Sequence, residues 1–180
     1  MFNFLKRNIP FSTYSLKKKQ LYQSLILSIL LYGSCVLSPS NSCMRKLENF
    51  QQKVLKWICS NTDYVSALLQ LDMLPLCFQM IKNDVVLLWK LHNNHIDVDH
   101  PLSVTNQESR FSPHGFFNIP RNKKVSSDAN FFVRATRAAN ELLRLQIVNF
   151  MMPLPTFKSE LNSYGLEPRI LTFPKLVYTL

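Results

Sequence analysis

The chain has 180 residues, 47% hydrophobic and 18% charged, a balance that suits one folded domain and excludes a disordered polyelectrolyte. A formal charge of +10 favours polyanions or an anionic membrane as partners, with an attraction that weakens in salt; the alternative is that the surplus lysines serve only solubility. Three glycines leave no room for the loops that cradle phosphates in nucleotide-binding enzymes.

Residues 1–15 read as irregular, a basic-aromatic stretch ended by Pro10 and a Ser/Thr cluster. From Leu16 to about Leu37 the apolar run predicts a helix whose last turn Gly33 weakens. Lys17, Lys18 and Lys19 stand before this run like a positive flank. It is nevertheless broken by Gln23, Ser24, Ser28, Gly33 and Ser34, and it falls short of the roughly 20 residues a span needs. A buried core helix is therefore preferred to a membrane crossing, and no small-residue cleavage site follows to make it a signal peptide.

Ser38-Pro39-Ser40-Asn41 stops that helix, and Asn41 or Ser42 can cap a second one running to about Ser60. At about 100° per residue, Arg45, Lys46, Asn49, Lys53 and Lys56 share one side, and Leu47, Phe50, Gln51, Val54, Leu55, Trp57 and Ile58 the other. Such a helix buries one face and offers a cationic stripe on the opposite one. Asn61-Thr62-Asp63 then make a turn or cap, and a short helix follows over Tyr64–Leu71. Leu74, Phe78, Ile81, Val85 and Leu88 recur at helical intervals and predict a fourth helix from Pro75 to His92.

Periodicity is lost between 93 and 130, where only Gly115–Ile119 resembles a strand. So long an irregular stretch inside a domain is expected to be partly mobile or to dock on an absent partner. A fifth helix is expected from Ala129 or Asn130 to Asn149, a turn through Pro153 and Pro155, and a sixth helix over Phe157–Tyr164. The expected fold class is mainly α: an irregular bundle of about five or six helices with a long irregular segment near 93–130.

Catalytic patterns are scarce. There is no nucleophile elbow of the GxSxG type, and Asp63, Asp72, Asp84, Asp97, Asp99 and Asp128 include no adjacent pair for a two-metal site. Cys35, Cys43, Cys59 and Cys77 are far apart among apolar neighbours, which points to buried free thiols in a reducing compartment. His92, His95, Asp97, Asp99 and His100 could in principle hold a divalent ion, but a polar helix end whose histidines suit the macrodipole accounts for them better, so no metal or cofactor is expected. Basic groups are more promising. Beside the Arg45–Lys56 stripe stand Lys6 and Arg7, Lys17–Lys19, Arg121, Lys123 and Lys124, and the Arg134, Arg137 and Arg144 face of the fifth helix. Backbone phosphate binding needs only such point charges along a groove.

Several segments, in order, carry a resemblance: FLKRN (Phe4–Asn8), LYQSLILSILLYGSCVLSP (Leu21–Pro39), KLENFQQKVLKWI (Lys46–Ile58) with its apolar-Glu-x-x-Gln-basic pattern, LDMLPL (Leu71–Leu76), NDVVLLWKLHNN (Asn83–Asn94), NFFVRATRAANELL (Asn130–Leu143) and FKSEL (Phe157–Leu161). Together they resemble the thumb and post-thumb region of reverse transcriptases of non-LTR retrotransposons, the LINE, Jockey and CR1 type. The chain departs from the family where Leu37 and Ala139 replace tryptophans, where Leu142-Leu143 replaces a Leu-Pro pair, and where Gln79-Met80 replaces a basic pair.

The resemblance implies a thumb-like helical region over 1–92, an irregular linker over 93–129 and a C-terminal helical tail over 130–180. Fingers, palm and catalytic aspartates would precede Met1, so the chain is expected to be non-catalytic as it stands. It implies sequence-tolerant contact with an RNA or DNA backbone through Arg45, Lys46, Lys53, Lys56, Arg134 and Arg137, an absent palm and fingers as protein partner, and a nuclear or cytoplasmic address. The alternatives are the product of a degenerate reading frame without selected activity, or a small protein anchored in a membrane by 21–37.

Overall fold

The computed structural model describes residues 2–10, 12–35, 41–60, 62–105, 116–118 and 131–166. Helix formation starts earlier than the local sequence suggests. Helix α1 spans Phe2–Asn8, within the stretch read as irregular, because tertiary contacts hold it. Leu5 is buried, and Phe2 meets Phe50 and Trp57 edge-on at 5.6 and 5.7 Å between ring centres. A single pair of turns has little stability of its own, so these contacts decide the matter.

Helix α2 (Ser15–Tyr22), a π-helical segment (Gln23–Leu27) and α3 (Ser28–Leu31) follow one another without a break. The rod ends at Leu31, not Leu37. Tyr32 turns to extended backbone (ψ 124°), Gly33 takes φ +70°, and Ser34 N donates to Leu31 O at 3.1 Å. That is a type II turn, and its third position is where glycine is required. Among the described residues no helix is long and apolar enough to cross a membrane. The expected Ser38-Pro39-Ser40 stop lies outside the described residues.

Helix α4 (Asn41–Ile58) leads into α5 (Tyr64–Gln70), α6 (Leu76–His92), α7 (Phe131–Arg144) and α8 (Leu154–Gly165). The architecture is mainly helical, an irregular bundle, as the periodicity predicts. Asp63 caps α5: its Oδ2 accepts from Ser66 N at 3.0 Å, which also holds the Asp63 carboxyl below its ordinary range. Three helices end in the same way. After α5, Asp72 (φ +48°) and Met73 donate their N–H groups to Leu69 and Leu68 O; Asn94 and His95 do so after α6, and Gln146 and Ile147 after α7. These are Schellman closures built without glycine. The last of them stops α7 at Arg144, short of the expected Asn149.

Two apolar clusters lie side by side. One joins α1, the rod, α4 and α5 through Leu5, Tyr22, Leu55, Trp57, Ile58 and Leu68. The other joins α6, α7 and α8 through Phe78, Leu88, Trp89, Leu142, Phe157 and Leu161. Leu47 of α4 and Met80 of α6 pack against both. Helix α6 thus closes the first cluster with Leu76 while supplying the floor for α7 and α8.

Part of the irregular stretch docks on this core. Val104 and Phe117 form an isolated antiparallel bridge, and Asn140 of α7 grips Phe117 from both sides, accepting from its N and donating to its O at 2.9 Å each. The Phe117 ring is buried edge-on against Phe150 at 4.7 Å. Of the strand-like character read at Gly115–Ile119, the described residues show only the isolated bridge at Phe117; Gly115 and Ile119 lie outside the described residues.

Gly165 closes α8 against α6. A Cβ there would lie 2.5 Å from Phe78 Cε1 and 2.6 Å from Leu74 Cδ2, well within van der Waals contact of side chains that are themselves buried. Gly165→Ala is expected to destabilise the fold by about 1–2 kcal/mol, overpacking outweighing the better helix propensity of alanine. A urea midpoint that does not fall, at unchanged slope, would refute this packing.

Candidate nucleic-acid interface

The two faces of α4 lie where the sequence pattern sets them. Arg45, Lys46, Asn49, Lys53 and Lys56 are exposed, while Met44, Gln51, Val54, Leu55, Trp57 and Ile58 are buried and Leu47 and Phe50 are partly so. None of Arg45, Lys46, Lys53 and Lys56 forms an ion pair or hydrogen bond with a described residue. Among the described residues nothing pairs with these charges, which face solvent.

The Glu48-x-x-Gln51 pair has a different task. Glu48 Oε1 accepts from Leu76 N at 3.3 Å and from the Tyr64 hydroxyl, and Oε2 accepts from Cys77 N at 3.2 Å. A carboxylate from α4 thus satisfies the first amides of α6, where Pro75 offers no side-chain cap. Burial outweighs these donors and raises the Glu48 pKa above its ordinary range. Gln51 Nε2 donates to Leu74 O at 3.0 Å, and its Oε1 lies 3.5 Å from the Tyr22 hydroxyl. Both residues fix α4 to the start of α6 and so hold the angle at which the stripe is presented.

Lys6 of α1 joins the stripe. With Phe2, Asn3, Phe50, Lys53 and Lys56 it lines an open concavity of about 630 Å³. Three lysines converge there and no carboxylate is among the lining residues. Sequence reading names Lys6 as a basic residue but cannot bring it to Lys53, because α1 itself is not legible locally.

The other basic groups divide. Lys17 is exposed, Lys18 is buried with its Nζ 5.3 Å from the centre of the Trp57 ring, and Lys19 donates to Leu71 O. What reads as one charged run is mostly structural. Arg134 is the sharpest case. Its Nε donates to Asp84 Oδ2 at 2.6 Å and its Nη2 to Asp84 Oδ1 at 3.2 Å, to Ser34 O at 3.3 Å and to Cys35 O at 3.2 Å. Asp84 is buried, and burial raises its pKa even though Arg134 pulls the other way. Arg134 therefore ties the Tyr32-Gly33 turn to α6 and α7, a role distinct from phosphate contact. Arg137 is exposed, and Arg144 pairs with Glu141 on the same helix. Arg121, Lys123 and Lys124 lie outside the described residues.

Two of the three histidines of the HNNHIDVDH segment face rings. His95 stacks on Trp89 at 5.0 Å, and His92 meets Phe117 and Phe150 edge-on, with burial lowering its pKa. No group of three or more His, Cys, Asp or Glu side chains among the described residues converges as a metal site. The four cysteines are free thiols; Cys77 is buried, whereas Cys43 is exposed, contrary to the expectation that all four are buried. Burial, then the Asp84 carboxylate, pushes the Cys35 thiol up to about 11.

In comparisons with known proteins, no family model, no curated protein and no solved structure matches the chain.

Proposed function

We propose that the chain is a non-catalytic, thumb-like portion of a reverse transcriptase of the non-LTR retrotransposon type, and that its α4 stripe holds an RNA or DNA backbone without reading sequence. The observation that carries this reading is the row Arg45, Lys46, Lys53 and Lys56, exposed along one face and unpaired with any described residue. Lys6 extends the row where α1 leans on α4. Lysines are point charges on flexible stems, suited to tracking phosphates and poor at distinguishing bases. Arg137 can add a contact on α7; Arg134 is engaged with Asp84. In this reading the working site of the parent enzyme belongs to a palm and fingers outside this chain, and the chain acts inside the cell, in the nucleus or cytoplasm.

Filter binding of RNA and of a primer–template across a salt series tests the reading. The wild-type chain is expected to lose affinity steadily as salt rises. Lys53→Glu/Lys56→Glu is expected to bind more weakly, with a log–log salt slope shallower by about 1.5, two contacts at roughly 0.7–0.9 each. Both side chains are exposed, so the variant should melt like wild type. Affinity insensitive to both salt and the double reversal would dispose of the proposal.

A further inference from the structure

The Lys6–Lys53–Lys56 concavity differs from the rest of the stripe in having an aromatic floor. Phe2 and Phe50 line it, and Phe2 rests edge-on against Phe50 and against Trp57 beneath. Lys6 Nζ stands over the Phe2 ring, 5.5 Å from its centre, so a base that stacks there displaces the ammonium toward the flanking phosphate. A duplex backbone uses only the charges of such a place, because its bases are stacked inside the helix. A guest that uses floor and rim together carries negative charge and a flat apolar face on the same short unit. An unstacked nucleotide has that chemistry: the base lies on a ring while the flanking phosphates meet ammonium groups.

From this we infer that the concavity is a single-strand site, which takes one unpaired nucleotide of an RNA or DNA strand with its base on Phe2 and Phe50 and its phosphates among Lys6, Lys53 and Lys56. The inference rests on the backbone-binding reading above and narrows its ligand from any nucleic acid to a strand with free bases.

The test is fluorescence anisotropy of the full chain with three labelled probes of about fifteen nucleotides. They are oligodeoxythymidylate, an abasic strand with the same number of phosphates, and a blunt duplex. The abasic strand is expected to bind at least about fivefold more weakly than oligodeoxythymidylate, the loss of one base–ring stack. Phe2→Ala is expected to narrow that gap, weakening the strand with bases more than the abasic strand, which loses only what Lys6 contributes as α1 loosens. The comparison between probes is made on the wild-type chain, so it holds even if Phe2→Ala loosens α1. Equal binding of oligodeoxythymidylate and abasic strand overturns the single-strand site while leaving the backbone reading intact. Absence of salt-sensitive binding to all three removes both. Displacement of the strand by poly-glutamate as readily as by poly-uridylate would make the concavity a site for acidic peptides and overturn the inference as well.

Discussion

Replacing Arg134 with methionine is expected to lower the unfolding free energy by about 3 kcal/mol, at the lower end of what breaking a buried ion pair costs. For a chain of this length that is a fall of roughly 6–12 °C in Tm. The reason is asymmetric. Methionine fills much of the arginine stem's volume, but Asp84 then keeps a buried carboxylate with no cation, and the Ser34 and Cys35 carbonyls lose their donor. Arg134 retains 22% side-chain exposure against 3% for Asp84, so the larger part of the loss sits on the acid. The deficit should depend on pH. Burial already holds the Asp84 pKa above its ordinary range, and without Arg134 it rises further. A raised folded-state pKa stabilises below the unfolded value and loses that contribution as pH rises through the folded one. The variant's deficit is therefore larger at about pH 8 than at about pH 5. Arg134→Met/Asp84→Leu should recover most of the lost stability, since it removes both charges together. If the single variant melts within about 1 °C of wild type, Arg134 is not the structural residue described here and its assignment to a phosphate returns.

What the sequence disclosed, and what it withheld, follows from the range of each interaction. The faces of α4 were legible because a period of 3.6 residues writes burial directly into the order of side chains, and nothing distant is needed to read it. Helix α6 and the Asp63 cap were legible for the same local reason. Helix α1 was not: contacts reached through the fold, those of Phe2 with Phe50 and Trp57 and the burial of Leu5, make Phe2–Asn8 helical, and the concavity at Lys6 was lost with it. The Lys17–Lys19 run reads as a single patch, yet consecutive residues on a helix point about 100° apart. One lysine therefore faces water, one packs on Trp57 and one caps a carbonyl at Leu71. Arg134 shares a helical face with Arg137 on paper, but its partner lies 50 residues away, and no window along the chain contains both. The end of the apolar rod at Leu31 had a local signal in Tyr32-Gly33. Read as a weak point inside a helix, it is instead the turn that ends one.

Glu48→Ala is the second large effect expected. It strips the partner from Leu76 N, Cys77 N and the Tyr64 hydroxyl together, and at about 1–3 kcal/mol for each unsatisfied buried group the total should reach about 3 kcal/mol, after water reaches some of them. Glu48→Gln separates shape from charge. The amide retains one acceptor oxygen for Tyr64 and Leu76 but turns an NH2 toward the Cys77 amide, so it should cost less than alanine and more than nothing. The pH dependence fixes the electrostatic part. Because burial holds the Glu48 pKa above the usual carboxylate range, its protonation stabilises the fold. That stabilisation is complete below the unfolded value of about 4.3 and disappears as pH rises through the folded one. The advantage of wild type over Glu48→Gln should accordingly be greatest in mild acid and shrink toward neutral pH, measured by urea midpoints at a series of pH values. An advantage that grows with pH would mean that the three donors outweigh burial and that Glu48 is held as a carboxylate, an anion on the α6 N-terminus. In either case α4 is joined to α6 by this residue, and the lysine row on its outer face keeps its aim only while that joint is closed.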